Sequence, residues 1–206
     1  MPTELTVAIV SSVFTAIIGP IAVHYFKEKL NKKSKDILKE TLEENTLIIN
    51  KLEEIKNIHK ADRVWIMQFH NGGNFYPTGK SIQKFSMCYE LVEYGVSSIQ
   101  QNFQNIPISL FSKSINHLLE EDIIAIPDFK DETIPTYGLK YVAEEYGCKS
   151  AYLVAIKSID GKYVGTLGIE YTKRKTSLSQ EEINNLWIES TAIGGVLISS
   201  FKNKTI

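Results

Sequence analysis

Gly147-Cys148-Lys149-Ser150-Ala151-Tyr152-Leu153-Val154-Ala155-Ile156, then Asp160-Gly161, then Tyr163-Val164-Gly165-Thr166-Leu167-Gly168-Ile169-Glu170-Tyr171, decides how this chain folds. Gly147 can take the left-handed conformation that closes a helix, so Leu139 to Tyr146 is expected to be helical and to stop there. Ser150 to Ile156 is rich in Tyr, Leu, Val and Ile and reads as a strand. Asp160-Gly161 suits a tight turn with positive φ, and Tyr163 to Tyr171 returns as the partner strand of a hairpin. Past the basic triplet Lys173-Arg174-Lys175, Ser179 and Glu182 stand at capping-box spacing. Ile183, Leu186, Trp187, Ile193, Leu197, Ile198 and Phe201 then recur at helical intervals, so a helix should lie across the sheet, with Gly194-Gly195 admitting another helix.

Upstream, Arg63 to His70 alternates as a strand, with Trp65, Met67 and Phe69 on one face and Val64, Ile66, Gln68 and His70 on the other. The wholly apolar face is expected to receive helices, and the face ending in Gln68 and His70 to look into a cavity. Asn71-Gly72-Gly73-Asn74 follows, a turn whose backbone N–H groups can approach a ligand. Met87, Tyr89, Glu90, Leu91 and Tyr94 suggest a short helix over 86–96 closed by Gly95, and 110–119 a second one after the break at Pro107. Ile123 to Ile126 reads as a short strand ended by Pro127-Asp128, and the proline-containing, acidic stretch from Asp128 to Tyr137 as a loop folding over a site. The candidate ligand-binding residues are therefore Gln68, His70, Asn71, Gly72, Asn74, Tyr89, Asp128 and Tyr137. A lone histidine or a glycine turn is more often structural, which is the competing reading of the same cluster.

The 206 residues carry a net charge of −1, which gives no signature of a nucleic-acid track. Cys88 and Cys148 have no metal-type or redox-type spacing, and no serine–histidine–aspartate nucleophile context is present. Leu5 to Phe26 holds no Asp, Glu, Lys or Arg and is long enough as a helix to cross about 30 Å of hydrocarbon. A single transmembrane helix over 5–26 is the expectation, set against a signal peptide, which lacks its basic leader here, and a buried core helix, usually shorter. Lys27, Lys29, Lys32, Lys33 and Lys35 follow the span and no Lys or Arg precedes it, so the large domain should face the cytoplasm. Residues 27–59 form a charged helical connector with a hinge near 57–62. Leu38, Leu42, Asn45, Ile49 and Leu52 follow coiled-coil spacing there, although the same stripe could pack on the domain's own sheet.

Ile124-Ala125-Ile126-Pro127-Asp128, Tyr146-Gly147-Cys148-Lys149-Ser150-Ala151, Asp160-Gly161-Lys162-Tyr163-Val164-Gly165-Thr166-Leu167 and Ser179-Gln180-Glu181-Glu182-Ile183 together give residues 60–206 the look of one superfamily. They resemble the GAF superfamily's strand ending in Pro-Asp, its glycine-led strand, its Asp-Gly hairpin and its final helix. The resemblance implies an α+β fold, a central antiparallel sheet with flanking helices on one face and a small-molecule pocket on the other. It names no cofactor or ligand. No cyclic-nucleotide motif, chromophore cysteine context or output module accompanies it.

The functional expectation is a membrane-anchored, cytoplasm-facing, GAF-like sensor or regulatory module. Its partners are an unidentified small molecule, lipid around 5–26 and a second copy through the connector and terminal helices, with no nucleic acid. Two alternatives stand beside it: a structural adaptor with a vestigial pocket, and a thiol-dependent enzyme resembling the GAF-like methionine sulfoxide reductases, using Cys88 and Cys148.

Overall fold

The computed structural model describes Pro20, Val23, residues 37–74, Tyr76 and residues 81–203, without the side chains of Ile37 and of 199–203. The expected span at 5–26 lies outside the described residues apart from Pro20 and Val23, as does the Phe201 side chain. Among the described residues no helix is long and apolar enough to cross a membrane.

In chain order the elements are α1 (Ile37–His59), β1 (Arg63–His70), β2 (Lys84–Val92), β3 (Ile106–Pro107), α2 (Ser112–Glu121), β4 (Ile123–Ile126), α3 (Lys140–Glu145), β5 (Ser150–Lys157), β6 (Tyr163–Tyr171) and α4 (Gln180–Asn203). Single 3₁₀ turns at Gln100–Phe103 and Ile108–Phe111 flank β3. Six strands make one antiparallel sheet in the order β3-β2-β1-β6-β5-β4. The β5–β6 hairpin turns where Asp160-Gly161 was expected, with Gly161 at φ 78°. Ser179 and Glu182 close the capping box: the Ser179 N–H donates to Glu182 Oε2 at 2.7 Å, and the Glu182 N–H to Ser179 Oγ at 3.3 Å.

Two cores lie on opposite sides of this sheet. On one side, Ile48, Leu52 and Ile55 of α1 and Leu186, Ile193 and Leu197 of α4 pack over Val64, Ile66, Val154, Leu167 and Ile169. On the other, Trp65, Phe69, Met87, Ile124 and Leu153 face α2, α3 and their loops. The connector packs on its own sheet through a stripe that shares only Leu52 with the expected seam, Leu38 being exposed. Its buried positions are Ile48, Leu52 and Ile55, with Asn45 accepting a hydrogen bond from the Tyr89 hydroxyl at 2.7 Å, while Leu42 stays exposed. At the expected hinge, Lys60 takes φ 50° and the Ala61 N–H reaches back to the Lys56 carbonyl at 3.0 Å, a cap that ends α1.

Residues 86–96 are not a helix: Lys84–Val92 is a full strand paired with β1. The reason is a β-bulge, since Ile66 pairs with Tyr89 and Met67 with Met87, leaving Cys88 as the extra residue. That insertion breaks the two-residue alternation and leaves Met87, Glu90, Leu91 and Tyr94 at spacings that imitate a helical turn. The helix after Pro107 is displaced as well, because Ile108–Phe111 forms the 3₁₀ turn and α2 starts at Ser112.

Gly194 does not admit a helix either. A Cβ there would lie 2.5 Å from the Lys157 carbonyl oxygen, so the glycine lets α4 sit down on β5, while Gly195 has no atom within 4 Å of such a Cβ. Adjacent substitutions should consequently have opposite signs. Gly194→Ala is expected to cost about 1–3 kcal/mol through overpacking, and Gly195→Ala to gain roughly 0.5–1 kcal/mol from helix propensity. Urea midpoints of the two variants check this; equal effects would mean that α4 does not rest on β5.

Candidate active cavity beneath the sheet

Strand alternation sets which face of the sheet borders the cavity. Trp65, Met67 and Phe69 are opposite Gly168, Thr166 and, on β2, Glu90, Met87 and Phe85, and all of these point away from α1 and α4. The two faces of β1 are thus exchanged relative to the sequence expectation: the aromatic face lines a cavity, and the Val64–Ile66 face receives the helices. Gly168 makes room for this, because a Cβ on it would come within 2.2 Å of the Trp65 ring. The indole lies over the glycine and its Nε1–H donates to Glu170 Oε1 at 2.8 Å.

The resulting cavity measures about 70 Å³. Its floor is Trp65, Met67, Phe69, Met87 and Leu153, and its roof Phe111, Ile115 and Leu118 with Val142, Ala143 and Tyr146 of α3 and its end. Ring contacts stiffen the wall: Phe85 meets Phe111 edge-on at 5.4 Å, Phe103 meets Tyr146 at 5.7 Å, and Phe69 meets Tyr163 edge-on at 4.9 Å. Polar groups converge at two points of the wall. The Tyr163 hydroxyl and Thr166 Oγ1 are 2.7 Å apart, and burial pushes the Tyr163 phenol above its usual range. At the other point Glu170 enters the wall.

Behind Glu170 is a buried charge cluster. Arg63, 1% exposed, ion-pairs with Glu170 through Nη1, lies 3.4 Å from Glu90 Oε1 through Nε, and donates from Nη2 to the Ser97 carbonyl at 2.9 Å. Glu90 in turn accepts from the backbone N–H groups of Ile99 at 2.9 Å and Gln100 at 3.1 Å and from the Ser98 hydroxyl. None of the three charged residues was singled out from the sequence as part of a site. The available signal was a carboxylate at Glu170 two positions after Gly168, on the same parity as Thr166, inside an otherwise apolar strand.

None of the eight expected ligand-binding residues lines the cavity. Gln68 and His70 are buried on the opposite face of β1, and Tyr89 packs there against the helical core. His70 clamps the turn that follows it: Nδ1 accepts from the Gly72 N–H at 3.0 Å, which assigns the proton to Nε2, 2.8 Å from Ser86 Oγ. Asn71 Oδ1 accepts from the Gly73 and Asn74 N–H groups at 3.1 and 2.8 Å. These bonds use the turn's backbone donors internally, so the cluster folds the chain instead of opening a site. Asp128 pairs with Lys175, which holds its carboxyl below the usual range, and Tyr137 stacks on His117 at 4.0 Å. Those two residues pin the loop between them, and from that loop Phe129 reaches into the cavity.

The clamp has a pH signature. Burial, then the nearby Lys84 charge, lowers the His70 pKa below 6.5, and burial lowers that of His59. The unfolded chain therefore takes up these protons first as pH falls, so their contribution is complete above about pH 6.5 and declines below it. The urea midpoint should drop between about pH 7.5 and about pH 5.5. A midpoint that stays level, or rises on acidification, would contradict this linkage.

The two thiols are set apart. Cys88 lies on β2 and Cys148 precedes β5, three strand spacings or roughly 14 Å away across the sheet. Burial raises both pKa values, that of Cys88 to about 12, so neither offers a thiolate at neutral pH.

No family model matches this chain, and no curated protein matches it. Solved structures do. The photoproduct state of GAF3 from Slr1393 of Synechocystis sp. PCC6803 is similar at a TM-score of 0.61 and 13% identity, covering 77% of this chain and 96% of that one. The blue-light absorbing form of the Thermosynechococcus elongatus PixJ GAF domain gives 0.60 and 14%, covering 81% and 90%. A far-red absorbing dark state with bound biliverdin IXa gives 0.57 and 15%, covering 72% and 86%. With six antiparallel strands, helices on one face and a cavity on the other, the chain has the fold of the GAF domains.

Proposed function

We propose that this chain is a sensory or regulatory module of the GAF type, in which a small molecule occupies the cavity between the sheet and α2–α3. The observation that carries the reading is the cavity itself. About 70 Å³ of room is walled almost wholly by apolar and aromatic side chains with a few polar groups at its edge, the make-up of a small-molecule site. The loop from Asp128 to Tyr137, held by the Lys175 and His117 contacts, acts as the cover through which a ligand enters. Residues 5–26 anchor the module in a membrane, and the following lysines keep the domain in the cytoplasm. Pairing of two copies through α1 and α4 is part of the proposal, supported by the exposed Leu42, Leu47, Ile58, Trp187 and Ile188 on those helices.

The test is a thermal-shift screen of the full chain in detergent micelles against small metabolites, repeated on Ala151→Leu, whose added side chain would project from β5 into the cavity. At least one compound should raise the wild-type melting temperature and lose that effect in the variant. Stabilisation that survives the filled cavity would place the ligand elsewhere and defeat the reading.

A further inference from the structure

We infer that the cavity selects a small organic cation, an alkylammonium or protonated amine held against aromatic rings, with Glu170 as its counter-charge. The inference rests on the reading of the cavity as a ligand site and specifies what that site takes.

Three observations converge on it. The first is charge. Two carboxylates, Glu90 and Glu170, share one guanidinium in the buried cluster. Arg63 is ion-paired with both of them and donates to the Ser97 carbonyl, and its Nε, which makes no hydrogen bond, sits 3.4 Å from the Glu90 carboxylate, so its positive charge is shared between two carboxylates. An anion would instead meet an excess of negative charge in a medium where Coulomb interactions are strong. Glu90 is occupied by the Ile99 and Gln100 N–H groups, whereas Glu170 borders the cavity. Glu170 accepts one hydrogen bond at each oxygen, from Trp65 and Arg63, and a carboxylate oxygen has capacity for a second.

The second observation is the lining. Trp65, Phe69, Phe85, Phe103, Phe111 and Tyr146 all border the space. Indole, phenyl and phenol faces attract a cation within about 6 Å of the ring centre, and the attraction is largest where water is excluded. A neutral hydrocarbon would gain only from burial.

The third is size. With ~10–15 Å³ of such space needed per water, the 70 Å³ cavity admits about half a dozen water-sized groups. A small quaternary ammonium fits that room. A tetrapyrrole such as the biliverdin of the similar far-red structure is far larger and does not fit without a rearrangement of α2 and α3.

Isothermal titration of the full chain in detergent micelles tests this with three probes of one shape: choline chloride, its neutral carbon isostere dimethylbutanol, and dimethylbutyrate as the anion. Choline is expected to bind at least about tenfold more tightly than the alcohol, with the anion weakest. Glu170→Gln keeps an acceptor for the Trp65 N–H and should remove most of that preference, read as a fall in the choline-to-alcohol affinity ratio. Should that variant fail to fold, Phe111→Leu replaces a ring by an aliphatic group of similar bulk, and choline should weaken about fivefold relative to the alcohol. Alcohol binding equal to or tighter than choline would overturn the charge assignment while leaving the cavity a ligand site. Failure of all three probes, together with no stabiliser in the thermal-shift screen, would overturn both.

Discussion

Arg63→Leu is expected to cost about 3–5 kcal/mol, the largest effect of any single side-chain change in the sheet. The guanidinium is 1% exposed and is the shared partner of Glu90 and Glu170, themselves buried. Removing it strands two carboxylates in an apolar medium without their cation. A domain of this size is stable by roughly 5–15 kcal/mol, so the loss takes a large share of the total. In urea the midpoint should fall by about 2 M for a typical slope. A second variant separates charge from packing. Replacing the cluster together, Arg63→Met with Glu90→Leu and Glu170→Met, should recover only part of the stability: it removes the stranded charges but leaves the Ile99 and Gln100 N–H groups and the Trp65 indole N–H without their acceptors. An unchanged midpoint in the single variant would mean that the carboxylates reach water once the guanidinium is gone, contrary to their burial.

Gly165→Ala is the second large effect. This glycine sits on β6 opposite Gln68 of β1, in the middle of the sheet. A Cβ there would stand 2.3 Å from the Met67 carbonyl oxygen and 3.5 Å from the Gln68 Cα. The atoms in the way are backbone, so no rotamer change relieves the contact, and two central strands must separate or shear. Overpacking of this kind costs about 1–3 kcal/mol and more where the neighbour cannot move, so roughly 3 kcal/mol is expected. Slower hydrogen exchange at the β1–β6 ladder in the wild type than in the variant checks the location of the damage. Equal protection in the two proteins would show that the strands absorb the methyl group without parting.

Much of this architecture was readable from residue order. Asp160-Gly161 with alternating strands on both sides fixed the hairpin, and Ser179 with Glu182 fixed the start of α4. Both signals are local and act within a few residues. The misread parts depend on contacts between distant segments. The bulge at Cys88 disguised β2, because one inserted residue turned a two-residue alternation into helix-like spacing. For β1 the alternation was legible, but the direction was not: two buried faces leave no polar side to mark solvent. The aromatic face was assigned to the helices on its apolarity, yet the cavity is the more aromatic compartment. Arg63, Glu90 and Glu170 lie far apart along the chain, and only the pairing of β2, β1 and β6 brings them together.

On β1, Trp65 borders the cavity while its immediate neighbours Val64 and Ile66 lie under the helical layer. Were a ligand of the proposed kind to tilt the indole off Gly168, it would twist the same peptide units on which those two aliphatic side chains hang. The two compartments are thus joined through a single strand, one residue apart.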